Sequence, residues 1–207
     1  MPADFAMPRL YAIVDAACFG SDNAVAVFVR ELVQSGVSLL QYRNKGGDAR
    51  QMLRHARQLK AEAGNGATLI MNDRSDLGLL AEFDGVHVGQ DDLSPDSVRQ
   101  LIGSEAWLGV STHNPAQVAE ADLTSANYIA VGPVFQTGSK ANPDPVIGLE
   151  GVRRARSLTR KPLVAIGGIT RANCREVISA GADSVAVISD LLPDPRQSAG
   201  DFLRILR

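Results

Sequence analysis

Several short segments of the chain place cations, carboxylates and amides at spacings suited to phosphate chemistry. In Gln41-Tyr42-Arg43-Asn44-Lys45, period-two alternation along a strand sends Gln41, Arg43 and Lys45 to one face. A two-pronged guanidinium and a point-charge ammonium suit a phosphate or diphosphate, and Gln41 can read the edge of a heterocycle. A solvated charge pair at a strand end is the plain alternative. Further on, Leu69-Ile70-Met71 runs into Asn72-Asp73-Arg74, and Val86-His87-Val88-Gly89 runs into Gln90-Asp91-Asp92-Leu93. Carboxylates from two such segments, beside the cations of the first, would bridge magnesium to substrate phosphates, with waters and phosphate oxygens completing the coordination. Helix capping accounts for one acid alone: Asp73 ahead of a helix near Ser75, or Asp91 or Asp92 ahead of the next.

The segment Gly109-Val110-Ser111-Thr112-His113-Asn114 offers Ser111 and His113 on alternate positions, and either could meet a substrate. Asn114 before Pro115 reads as a helix cap with proline in the first turn. His55 falls in a helical segment and reads as a packing or surface residue, and His87 as core. No His/Ser/Asp relay and no histidine pair at metal spacing is visible, which argues against nucleophilic catalysis and zinc. Two segment ends, the glycine-bearing Ala165-Ile166-Gly167-Gly168 and Val187-Ile188-Ser189-Asp190, suit backbone-amide capture of a phosphate. Gln136-Thr137-Gly138-Ser139-Lys140 adds two hydroxyls and an ammonium around a glycine, suited to closing over a second anion.

These groups need a scaffold that brings scattered loops together. Eight short apolar runs recur, at Arg9–Asp15, Ser38–Asn44, Thr68–Asp73, Gly85–Gly89, Trp107–Thr112, Asn127–Gly132, Pro162–Gly168 and Ser184–Ser189. Segments with helical spacing alternate with them, among them Asn23–Ser35, Asp48–Ala63 and Ser94–Ile102, the last opened by a Ser-Pro cap. Eight strands in strict alternation predict a single-domain (β/α)8 TIM barrel over residues 1–207, in preference to an open doubly wound sheet. In a barrel the carboxyl ends of the strands build the site, which is where every group named above falls. The long irregular stretch Pro133–Gly148 is expected to be an active-site loop, with a passive surface insertion as the alternative.

The chain has 207 residues, 23 acids and 21 Lys or Arg, a formal net charge of -2. Interspersed charge excludes a broad basic face for nucleic acid or an anionic membrane, so any anion site must be local. No apolar run approaches the roughly 18 residues of a membrane span, and the first residues lack the pattern of a signal peptide. Two distant cysteines without CxxC spacing fit a reducing cytoplasm.

Taken in order, QYRNK, MNDRSDLGLL, DGVHVGQDDL, LGVSTHN, YIAVGPVFQTGSK, GLEGV, AIGGI and DSVAVIS resemble the thiamine phosphate synthase family across most of the chain. AIGGI alone is shared by many phosphate-binding barrels, so the specificity lies in the set and its order. The resemblance implies a transferase that joins hydroxymethylpyrimidine diphosphate to a (carboxy)thiazole phosphate, releasing pyrophosphate and making thiamine phosphate. It implies that the segment Gln41, Tyr42, Arg43, Asn44 and Lys45 binds the pyrimidine diphosphate with Asn72, Ser111 and Lys140. Arg43, Lys45, Ser111 and Lys140 would act in catalysis. It makes Asp73 and Asp92 the ligands of Mg2+, a choice between Asp91 and Asp92 that spacing leaves open. Thr137, Gly138, Ser139, Gly168, Ile188 and Ser189 would hold the thiazole phosphate. The family commonly has threonine in place of Ser139 and leucine in place of Tyr42, so Tyr42 should face away from the site. Two small molecules are the expected partners, with neither nucleic acid nor membrane, and a homodimer stays open. The rival readings are a thiazole tautomerase-like relative, a phosphometabolite-binding regulatory barrel, and an unrelated phosphate-binding isomerase or decarboxylase. The joint presence of Gln41, Arg43, Lys45, Asp73, Asp92 and Lys140 argues against the tautomerase and the isomerase or decarboxylase, while binding of both ligands without pyrophosphate release would support the regulatory barrel.

Overall fold

The computed structural model describes residues 7–138 and 144–207. Eight parallel strands close into a barrel in chain order: β1 Leu10–Asp15, β2 Leu39–Arg43, β3 Thr68–Asn72, β4 Gly85–Val88, β5 Trp107–Thr112, β6 Tyr128–Val131, β7 Leu163–Ile166 and β8 Ser184–Val187. Each strand is followed by a helix: α1 Asp22–Gln34, α2 Ala49–Ala63, α3 Ser75–Leu80, α4 Pro95–Ile102, α5 Pro115–Asp122, α6 Gly148–Leu158, α7 Cys174–Ser179 and α8 Pro195–Ile205. This is the (β/α)8 barrel the alternation predicts, and all eight strands fall within the expected runs. Several runs extended one or two residues too far, because the site-forming ends leave the ladder to become loops.

The helices begin where the sequence supplies an acceptor for their unpaired N–H groups. Ser94 accepts from Ser97 N ahead of α4, Asn114 from Gln117 N ahead of α5, and Asp48 from Gln51 N ahead of α2. Proline follows the cap in α4, α5 and α8, where its missing N–H costs nothing.

Alternation divides the apolar residues between two compartments. Tyr11, Ile13, Leu39, Ile70, Tyr128, Ala130, Val164 and Ala186 point inward and fill the barrel. Their neighbours along the strands, such as Ala12, Leu40, Leu69 and Val185, pack outward against the helices in a second, larger cluster. The inner core supplies a rigid floor, and the residues one step beyond it on each strand point into the mouth above that floor. No helix among the described residues is long and apolar enough to cross a membrane.

Candidate active site

The mouth holds a cavity of about 580 Å³, within the range of small-molecule sites. Gln41, Arg43, Lys45, Asn72, Asp73, Asp92 and Ser111 line one arc of it, and Thr137, Gly168, Ile188 and Ser189 line the other. Ser139 and Lys140 lie outside the described residues. The remaining three expected contacts are not in the lining. Tyr42 is turned outward by alternation and donates or accepts a hydrogen bond at His55 Nδ1, 2.8 Å away. Asn44 is engaged with Tyr42 Oη and with the backbone N–H groups of Gly46 and Gly47. Neither side chain lines the cavity, and Tyr42 faces away from it as expected. Gly138 is exposed beside the cavity and does not line it.

The cations on the first arc are held by carboxylates. Arg43 pairs with Asp15, its register partner at the end of β1, where Asp15 is buried. Lys45 Nζ lies 2.5 Å from Asp73 Oδ2. Asp73 follows β3 in the left-handed region, at φ 61°. That backbone costs about 1 kcal/mol and recurs at functional turns. Burial first, and then the adjacent Asp92 carboxylate, hold the Asp73 carboxyl above the usual carboxylate range against the pull of Lys45. Asp92 Oδ2 in turn accepts from Gly89 N at 2.7 Å. Neither acid is a helix cap: Arg74 precedes α3 with no side-chain cap bond, and Ser94 caps α4.

Two crowded carboxylates at a cavity rim, only one of them paired with the Lys45 ammonium among the described residues, suit a divalent cation that keeps water and phosphate ligands. No group of three or more His, Cys, Asp or Glu at metal distance exists among the described residues, so a protein cage is excluded there. Asn72 Nδ2 is a buried donor with no hydrogen-bond partner.

Below the rim, a polar chain crosses the barrel interior. Gln41 Nε2 donates to Tyr11 Oη (2.8 Å), Tyr11 meets Tyr128 (2.9 Å), Tyr128 meets His87 Nδ1 (3.0 Å), and His87 Nε2 meets Ser111 Oγ (2.8 Å). Burial pushes both tyrosines up, so they stay neutral phenols that can donate and accept at once. His87 is thus a cavity-lining member of this chain as well as core. No motif marks Tyr11 or Tyr128 in the sequence, since only the barrel brings β1 and β6 together. His113 also lines the cavity, with Nδ1 2.6 Å from Gly132 O and 3.4 Å from Asp144 Oδ2.

The second arc is built from backbone. Gly168 sits at φ 63°, and a Cβ there would stand 2.5 Å from Gln136 O and 2.8 Å from Phe135 Cβ, so only glycine fits this approach of the loop after β7 to the loop after β6. Asn173 Nδ2 donates to Gly168 O. Arg171 joins this loop to the one after β8: its backbone N–H and guanidinium all donate to Asp190, and Nη1 reaches Asp201. Ser189 opens a short 3-10 turn, Ser189–Leu191, in the loop thereby held.

The family model described as thiamine monophosphate synthase matches residues 10–191. The thiamine-phosphate synthase of Koribacter versatilis is 59% identical over 209 residues, covering 100% of this chain and 99% of that protein. That of Chloroflexus aurantiacus is 42% identical, covering 96% of this chain and 92% of that protein. Among solved structures, thiamine phosphate pyrophosphorylase from Pyrococcus furiosus superposes with a TM-score of 0.84 at 29% identity, over 96% of this chain and 95% of that one. A 3-hexulose-6-phosphate synthase shares the fold alone, at a TM-score of 0.71 and 15% identity. A closed eight-stranded barrel, matched along its length by these relatives and by the family model, makes this chain a member of the thiamine-phosphate synthase family.

Proposed function

We propose that the chain condenses 4-amino-2-methyl-5-hydroxymethylpyrimidine diphosphate with a thiazole phosphate to give thiamine phosphate and pyrophosphate. The observation that supports this reading is one cavity with two unlike arcs: side-chain cations and paired acids from β2 to β5, backbone and hydroxyls from β6 to β8. A substrate that must lose a diphosphate suits the first arc, and one that must keep its phosphate suits the second.

In this reading the bond between the pyrimidine methylene and the diphosphate oxygen breaks, its electron pair leaving with diphosphate. The thiazole nitrogen then forms the new C–N bond to the methylene. Arg43, Lys45, Lys140 and Ser111 bind and stabilise the departing oxygens, while Gln41 and Asn72 orient the pyrimidine. Asp73 and Asp92 would hold Mg2+, which when bound neutralises charge on the diphosphate. Thr137, Gly138, Ser139, Gly168, Ile188 and Ser189 retain the thiazole phosphate. No enzyme nucleophile enters the scheme. Both cysteines are free thiols, the state that a reducing cytoplasm maintains.

The test is incubation with both substrates and magnesium, monitored for equimolar pyrophosphate and thiamine phosphate. Asp92→Ala and Lys140→Ala should each lower turnover by about a hundredfold, the scale of losing one charge-stabilising group. Near-normal turnover of both at saturating magnesium would sink the assignment.

A further inference from the structure

Behind β2, on the side away from the cavity, a buried line of polar groups runs from the surface to the loop that carries Lys45. Asn44 Oδ1 accepts from Gly46 N at 3.1 Å and from Gly47 N at 2.8 Å. Asn44 Nδ2 stands 3.1 Å from Tyr42 Oη, and Tyr42 Oη 2.8 Å from His55 Nδ1. His55 Nε2 lies 2.8 Å from Asp22 Oδ1, off the N–H axis. Tyr42 and His55 are buried, edge to face, with ring centroids 5.7 Å apart.

The direction of this line is fixed by its loop end. Two backbone N–H groups can only donate, so they assign the oxygen of the Asn44 amide to themselves and turn its NH2 toward Tyr42. Tyr42 must then accept from Asn44, which leaves its own proton for His55 Nδ1. His55 keeps its other proton on Nε2, facing the Asp22 carboxylate. From the Gly46 and Gly47 N–H groups to His55 Nδ1 each link has one direction, and removing the Tyr42 hydroxyl takes a partner from both Asn44 Nδ2 and His55 Nδ1. The loop is also packed onto this amide: a Cβ at Gly47 would fall 2.4 Å from Asn44 Nδ2 and 2.9 Å from Asn44 Cγ.

The cavity side of the same loop carries Lys45, whose ammonium is more than half exposed and held only at its tip by Asp73. A long, mobile side chain gains little from a single surface ion pair, so the accuracy of its placement rests on the backbone that bears it. We propose that Tyr42, His55 and Asn44 are positioning residues that fix the backbone of the loop 44–47 and thereby place Lys45 for the diphosphate. This rests on the reading of Lys45 as a diphosphate ligand.

The test is a set of variants in the full-length enzyme, assayed with both substrates. Tyr42→Phe keeps the buried ring and removes only the hydroxyl. It should raise KM for the pyrimidine diphosphate about three- to tenfold, the effect of one net hydrogen bond, with kcat and KM for the thiazole phosphate within a factor of about two. Hydrogen exchange at the Gly46 and Gly47 amides should accelerate, which a general loss of core packing would not confine to that loop. Against a Lys45→Ala background, Tyr42→Phe should add nothing. Gly47→Ala, which displaces the Asn44 amide without touching the core, should reproduce the KM effect if Tyr42→Phe folds poorly. An unchanged KM in Tyr42→Phe and Gly47→Ala, with Lys45→Ala impaired, would overturn this proposal alone. An unchanged KM in Lys45→Ala would overturn the reading of Lys45 and the proposal with it.

Discussion

At the scale of single residues, the mouth of the barrel separates charged work from neutral work. Arg43 and Lys45 are each neutralised by an acid, Asp15 and Asp73, while the chain from Gln41 to Ser111 beneath them contains only groups that are neutral or in hydrogen-bond exchange. Burial makes ionising Tyr11 or Tyr128 costly, and this has a consequence for stability. Their folded pKa lies above the unfolded value, so the contribution is complete below about pH 10 and is lost as pH rises through the window above it. The denaturant midpoint should therefore decline above about pH 10, and more shallowly in Tyr128→Phe, which has one fewer buried phenol. Identical alkaline slopes for the two proteins would contradict the burial argument. Alternation alone made the facing of Gln41, Arg43 and Lys45 legible. Asp15 escaped notice because an acid ending a strand looks like a cap, which it also is, accepting from Ala17 N. Asp144 escaped because its partner His113 is 31 positions away and only the fold brings them together.

At the scale of elements, the strands were readable because each is a short β-rich run between helix formers, and their ends were not, because the last residue of a site-forming strand has no cross-strand signal of its own. Asp73 is the clearest instance: read as the end of the third run, it has already left β3 with a positive φ. The coupling between loops was also hidden. Arg171 carries no motif, yet it ties the loop after β7 to Asp190 after β8 and to Asp201 in α8. Removing its side chain in Arg171→Ala should loosen both phosphate-facing loops. KM for the thiazole phosphate should rise about three- to tenfold, as expected for lost hydrogen bonds to a charged group, with KM for the pyrimidine diphosphate little changed. Equal increases in both constants would point to general destabilisation instead.

At the scale of the whole molecule, the closure of β1 onto β8 does more than remove exposed strand edges. It turns the mouth into a ring whose circumference is set by eight ladders, so the strand ends that carry opposite arcs keep a fixed separation. In the proposed reaction the two arcs act as the jaws of a fixed caliper. Such an instrument measures the span of its combined ligands, and selects by length as well as by chemistry. A thiazole phosphate whose tether is one methylene longer should condense about tenfold or more slowly in kcat/KM, since one methylene misfit in a rigid site is worth about 1–3 kcal/mol. Equal use of both homologues would mean that the jaws yield.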